Sequence, residues 1–360
     1  MSLPRYQTIQ GLRFVAALGV VVGHSAFYAR ERLGSPAPTL DFLGAMGVGL
    51  FFAISGFIMT RIHDEDPDQD WRRFIRRRVA RVIPMYWIMT TFKLATILVA
   101  ADVVITAAVD PVAVVRSYLL LPSFNELGHI EPLWTVGWTL MFEMMFYLLV
   151  AVAMAARVDP VVLAAPVLTA LAIASVARAE NGSASPSGSL PDSASEWWFY
   201  ADPVVLYFLA GMAIARAARR RSRASMVIAV AAVFALAVLS GLLARAEPVM
   251  HGLVFAALVG ILGIAVGSEG VLGARVPRWI VVSGTASYSL YLTHPIVAQI
   301  VPETLARLGA VDLPWAVVVA GSTVVAALAA PLVHRCAEAP LTRLVQHPRA
   351  GRRVSRHRAG

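Results

Sequence analysis

The chain has 360 residues, 58% hydrophobic and only 15% charged, where soluble domains average roughly 45–50% and 25%. That excludes an ordinary soluble enzyme and describes a chain that crosses a membrane many times. The net charge of +9 would suit nucleic acid, but the basic residues form short blocks between apolar runs, as cytoplasmic loops do, so membrane lipids replace nucleic acid as the expected partner.

Taken in chain order, ten apolar stretches come near the roughly 20 residues that a helical span needs. They are 9–29, 42–61, 80–101, 134–156, 160–177, 199–216, 226–243, 249–267, 279–301 and 314–334. The pattern predicts an all-α polytopic membrane protein with about ten transmembrane helices. The first stretch has the basic start and apolar core of a signal peptide, but "GHSAFY" is a poor match to a small-x-small cleavage site. The longest connection, 102–133, holds an apolar patch at Val112–Leu121, too short to span, that fits a re-entrant or interfacial piece. The linker "NGSASPSGSLPDSAS" (181–195) is small and polar and reads as a loop. No inverted repeat of the kind that marks many transporters is visible. Residues 1–338 make up the membrane domain in this reading, and 339–360 a basic cytoplasmic tail.

With the N-terminus inside, the cytoplasmic segments carry 23 arginines and the outer ones six. Basic residues collect on the cytoplasmic side, so both termini are expected inside, with an even number of spans. Lys93 is the only lysine. That usage fits a GC-rich bacterial genome and hence a bacterial inner membrane. Cys336 is the only cysteine, so no internal disulfide forms, and no metal is expected.

Ionisable groups at membrane depth are expensive and mark function. The spans hold Arg13, His24, Lys93, Glu143 and His294. Arg13 and His24 are eleven residues apart, about 20° past three full turns, so both face one way about 16 Å apart along the axis. Such a polar line suits a long ligand with an anionic head. The plainer alternative is that Arg13 snorkels to lipid phosphates and His24 is a packed histidine.

Glu143 lies in "PLWTVGWTLMFEMMFYLLVAV" (132–152). A buried carboxylate is either protonated or paired. It can orient an imidazole, as the acid of a triad does, or simply hydrogen-bond two helices. His294, in "SYSLYLTHPIV" (287–297), sits near the depth of His24. It reads as a second base or substrate ligand, with Tyr291 grouped beside it, or as a histidine at a helix break before Pro295. In "WRRFIRRRVARVIPMYW" (71–87), Arg78 and Arg81 share a helical face. Two guanidiniums there, with Arg77 nearby, suit a phosphate or pyrophosphate; topology alone is the competing explanation. "GVGLFFAISGFIMT" (47–60) puts Ser55 and Gly56 mid-span, where small residues let helices approach.

Five stretches in order, "IQGLRFVAALGVVVGHS" (9–25), "GVGLFFAISGFIMT", "FIRRRVARVIPMYW" (74–87), "WTVGWTLMFEMMFYLL" (134–149) and "SYSLYLTHPIV", resemble the acyltransferase type 3 family of integral membrane acyltransferases. The form "GWTLMFEMMFY" is most similar to its exopolysaccharide acetyltransferase branch. The resemblance covers nearly the whole chain. It implies ten spans, an acyl-CoA donor on the cytoplasmic side, with acetyl-CoA expected, and an acceptor outside: a glycan or a glycosylated small molecule. It carries the family's first-span arginine and histidine onto Arg13 and His24, its cytoplasmic arginine pair onto Arg78 and Arg81, and its fourth-span glutamate onto Glu143. One departure is Gln10, where many members have an acidic residue; the closing acidic-x-Pro element appears as "EAP" (338–340).

Together these readings predict O-acyl transfer. Arg77, Arg78 and Arg81 take the CoA phosphates, the pantetheine arm rises past Arg13, and His24 acts as general base supported by Glu143. A covalent acyl-histidine is the competing mechanism. A transporter or flippase is the alternative function. A membrane serine protease would require Ser55 and His294 to meet.

Overall fold

The structure is a computed structural model, and it describes residues 6–100, 110–124, 129–180, 195–220, 222–244, 247–310 and 312–346. The described residues are overwhelmingly helical, with a single isolated β-bridge, Phe124 to Ile130, and no strand among them. Among the described residues, eight helices are long and apolar enough to cross a membrane: Gln7–Leu33, Asp41–Glu65, Trp71–Val99, Thr135–Ala155, Pro160–Ala177, Arg223–Leu243, Pro248–Gly267 and Trp315–Gln346. The chain is therefore an all-α multi-pass membrane protein.

The helix α1 (Gln7–Leu33) is the hub. It packs against α2 (Asp41–Glu65), α9 (Pro248–Gly267), α11 (Arg278–Thr285), α12 (Ser287–Arg307) and α13 (Trp315–Val333). Its N-terminal amides lack helical partners, and Glu269, at the start of α10 (Glu269–Leu272), supplies them: the carboxylate accepts from Gln7 N at 2.8 Å and Thr8 N at 3.0 Å. The helix expected from 80–101 begins nine residues sooner, as α3 (Trp71–Val99), because Asp70 caps it by accepting from Arg72 N at 3.0 Å. That start makes the whole arginine block helical.

Two expected spans take other forms. Residues 199–216 divide into short 3-10 turns at Glu196–Tyr200 and Pro203–Val205, followed by α7 (Leu206–Arg220), only 15 residues long. Residues 279–301 divide at Ala286 into α11 and α12. The buried α7 is wedged against α2 through reciprocal glycines. A Cβ on Gly211 would stand 1.9 Å from Ala53 O, and one on Gly56 2.1 Å from Phe208 O, so only glycine permits this crossing. By contrast, α8 (Arg223–Leu243) exposes Val227, Ile228, Val230 and Phe234, as a lipid-facing helix does.

The connections complete the bundle. The apolar patch expected at 112–121 is α4 (Pro111–Tyr118), pinned to α3 by Trp87 Nε1 donating to Tyr118 O at 2.8 Å. Of the linker 181–195, only Ser195 lies within the described residues, and it caps the Glu196–Tyr200 turn. Eight residues of the expected tail form α14 (Ala339–Gln346), which docks on α3 through a π-turn at His334–Glu338. Residues 347–360 lie outside the described residues.

Ion pairs tie helix ends level with one another. Arg216 bridges Asp64 and Asp159, and Arg219 reaches Asp64 at 2.8 Å, joining α2, α7 and the start of α6 (Pro160–Glu180). At the opposite ends, Arg32 meets Glu303 at 3.7 Å, and Arg116 meets Glu196. Each pair joins segments that the arginine distribution places on one side of the membrane.

Candidate active site

Polar side chains run through the bundle from the arginine-rich end to the far end. At the entrance, Arg72, Arg73, Arg76 and Arg77 line a cleft of about 640 Å³ with Asp70 and Gln346, between the ends of α3 and α14. Arg78 turns away from that cleft. Its guanidinium lies 5.8 Å from the Phe74 ring, and its Nε is sealed from solvent with no hydrogen-bond partner.

Deeper in, three guanidiniums converge on two carboxylates. Arg13, 9% exposed, interacts electrostatically with Arg81, Glu338, Glu143 and Tyr147. Arg78 interacts with Tyr147, Arg81, Glu143 and Arg77. Glu143 Oε1 accepts from the Tyr147 hydroxyl, one turn away on α5 (Trp138–Ala155), and Ser55 Oγ lies 3.5 Å from it. Glu338 is 5% exposed and accepts from Ser289 Oγ at 2.5 Å and His334 Nδ1 at 2.9 Å. Guanidiniums outnumber carboxylates here by three to two, which suits an anionic ligand.

At the far end sits the imidazole. His24 Nδ1 is 3.0 Å from Val20 O on its own helix. A carbonyl only accepts, so Nδ1 carries the proton and Nε2 keeps a free lone pair, as a general base requires. The His24 ring meets His294 edge-to-face, with centroids 4.8 Å apart. His294 is 0% exposed. No break occurs before Pro295; α12 continues through it. Because proline has no N–H, the Tyr291 carbonyl loses its usual helical donor, and His294 Nδ1 donates to it at 2.6 Å. Tyr291 hydrogen-bonds Thr139 Oγ1 at 2.7 Å and Val136 O at 3.0 Å. His294 and Tyr291 thus stand at the depth expected, but as buried wall rather than as open acceptor surface.

Several expectations need revising against this geometry. Glu143 belongs to the arginine cluster: its hydrogen-bond partners are Ser55 and Tyr147, and the carboxylate that acts electrostatically on His24 is Asp41, at the start of α2. Ser55 is turned to Glu143, and His294 to His24, so the serine–histidine pairing of a protease is not formed. With glutamine at position 10, the carboxylates that act on Arg13 are Glu143 and Glu338. Lys93 is accounted for by Glu131 in the far-side loop, whose carboxyl is pushed above the usual range by burial.

Tyr147, Ser289 and Asp41 join the residues expected from the sequence, and Glu338, expected only as the acid of "EAP", stands beside Arg13 and Arg81. Tyr147 was detectable as the i+4 neighbour of Glu143. The inward aim of Glu338 was not, because a π-turn shifts the helical phase there. Among the described residues, no group of three or more His, Cys, Asp or Glu side chains is placed to hold a metal ion.

A family model described as an acyltransferase domain matches residues 6–334. The chain is 29% identical over 308 residues to the exopolysaccharide production protein ExoZ of Rhizobium meliloti (strain 1021), covering 83% of this chain and 90% of that protein. It is 29% identical over 158 residues to the acyltransferase MdmB of Streptomyces mycarofaciens, covering 40% of this chain and 38% of that one. No solved structure matches.

Proposed function

Since the chain belongs to the acyltransferase family and is an O-acyltransferase, we propose that it moves an acetyl group from cytoplasmic acetyl-CoA to a hydroxyl of a cell-envelope or exported glycan. The reading places it in the bacterial inner membrane with both termini inside. The observation that carries the proposal is the run of polar groups from the arginine cleft, through Arg13, Arg78 and Arg81, to His24 at the far end. Its similarity to ExoZ supports an exported polysaccharide as the acceptor class.

In this mechanism the donor's anionic end occupies the arginines. Arg77 lines the surface cleft, which suits a 3′-phosphate, and the deeper Arg78 and Arg81 suit the pyrophosphate. The pantetheine arm follows the face of α1 across the roughly 16 Å from Arg13 to His24. The bare Nε2 of His24 takes the proton of the acceptor hydroxyl, and the oxygen attacks the thioester carbonyl. The carbon–sulfur bond breaks, and the departing thiolate recovers the proton from His24. Glu143 neutralises and aims the guanidiniums that line the way.

The test is transfer of labelled acetyl from acetyl-CoA to alkali-deacetylated surface polysaccharide by the purified protein in lipid. His24→Ala should abolish transfer while the protein still folds. Wild-type rates from that variant would sink the assignment, and movement of the glycan without acetylation would favour a transporter.

A further inference from the structure

We infer that His294 is a positioning residue for His24, supplying the hydrogen-bond acceptor that the His24 imidazolium needs once it has taken the proton. This rests on the acyl-transfer reading and adds a role that nothing in the family resemblance supplies.

Both imidazoles donate Nδ1–H to a carbonyl of their own helix, His24 to Val20 and His294 to Tyr291. Each therefore turns a lone pair outward at Nε2, and in the resting state neither ring can donate to the other. His294 Nε2 is buried and has no hydrogen-bond partner. A buried polar atom left unpaired is costly and calls for an explanation. Here the missing donor is created by the reaction itself. When His24 Nε2 gains the acceptor's proton, it becomes a charged N–H beside a ring whose centroid is 4.8 Å from its own. The interaction is absent in the ground state and present only after proton transfer, which is the kind that raises turnover rather than affinity. No bond to His294 forms or breaks: the proton passes from hydroxyl to His24 Nε2 and then to the thiolate, and His294 only accepts a hydrogen bond meanwhile. Pro295 is part of the device, because it frees the Tyr291 carbonyl that fixes the ring.

Two variants separate this role from packing. His294→Phe keeps an aromatic ring against His24 but has no acceptor. His294→Gln places an amide oxygen close to where Nε2 was. With labelled acetyl-CoA and alkali-deacetylated polysaccharide, Phe should lower kcat roughly 10- to 100-fold, the scale of a hydrogen bond to a charged group, leaving the acetyl-CoA KM within about twofold. Gln should recover kcat to within about fivefold of wild type. Thermal unfolding in detergent checks that both variants fold. Wild-type kcat from the Phe variant, or equal losses from Phe and Gln in folded protein, would overturn the role. Absence of transfer by the wild type itself would instead remove the acyl-transfer reading, and this role with it.

Discussion

The two groups of arginines on α3 should respond differently to the chemistry of the donor. At 100° per residue, Arg78 lies about 200° around the helix from Arg76, so the two cannot serve one phosphate. Arg76 is exposed in the surface cleft, while Arg78 is half-buried against Phe74 with Nε sealed from water. An exposed charge pair is worth about 0–1 kcal/mol, so Arg76→Ala should raise the acetyl-CoA KM by no more than about fivefold. A guanidinium bonded to phosphate away from water is worth about 1.5–3 kcal/mol, so Arg78→Ala should raise it about 10- to 100-fold. Initial rates with acetyl-CoA and with acetyl-dephospho-CoA, which lacks the 3′-phosphate, tell the groups apart. The Arg76 effect should vanish with the dephospho donor and the Arg78 effect should persist. If Arg76→Ala weakens both donors equally, or if Arg78→Ala is silent in folded protein, the division of phosphates between cleft and interior is wrong.

Glu143→Gln keeps the shape of the side chain but leaves Arg13, Arg78 and Arg81 facing Glu338 with less counter-charge; a loss of about 1–3 kcal/mol in stability should accompany altered donor KM, read by thermal melts and initial rates. Gly211→Ala would put a Cβ 1.9 Å from Ala53 O and 2.8 Å from Phe57 N, backbone atoms that cannot swing aside, so α2 and α7 must part at a cost of about 1–3 kcal/mol or more. Gly44→Ala, with nothing within 4 Å, is the control and should be neutral or slightly stabilising in the same melts. The hydrogen bond from Arg116 holds the Glu196 carboxyl below the usual carboxylate range. Its contribution is therefore full above the ordinary value of 4.5 and is lost as pH falls through the depressed one. Both side chains reach solvent, so the effect is about 0–1 kcal/mol; melts between about pH 5 and pH 3 should show it in the wild type and not in Arg116→Ala.

The class of this protein is legible in its residues, because burying a backbone in lipid demands long apolar helices and allows few charges. The sequence also placed Arg13 and His24 on one face, since both belong to one helix and helical phase is local. Gly56 could be read as a contact point for the same reason. What the tertiary structure alone decided is which helices meet. Glu143 and His24 lie on different helices, and nothing in either helix's periodicity reveals that Glu143 faces guanidiniums while His24 faces His294. The phase of Glu338 was hidden by a π-turn. The lengths of α7 and α12 followed from local backbone chemistry, Pro203 opening a 3-10 turn and Ala286 ending α11, that hydropathy does not register. The role of His294 rests on both levels. Pro295 beside it is visible in the sequence, but the His294 ring meets His24 only because α1 and α12 pack together.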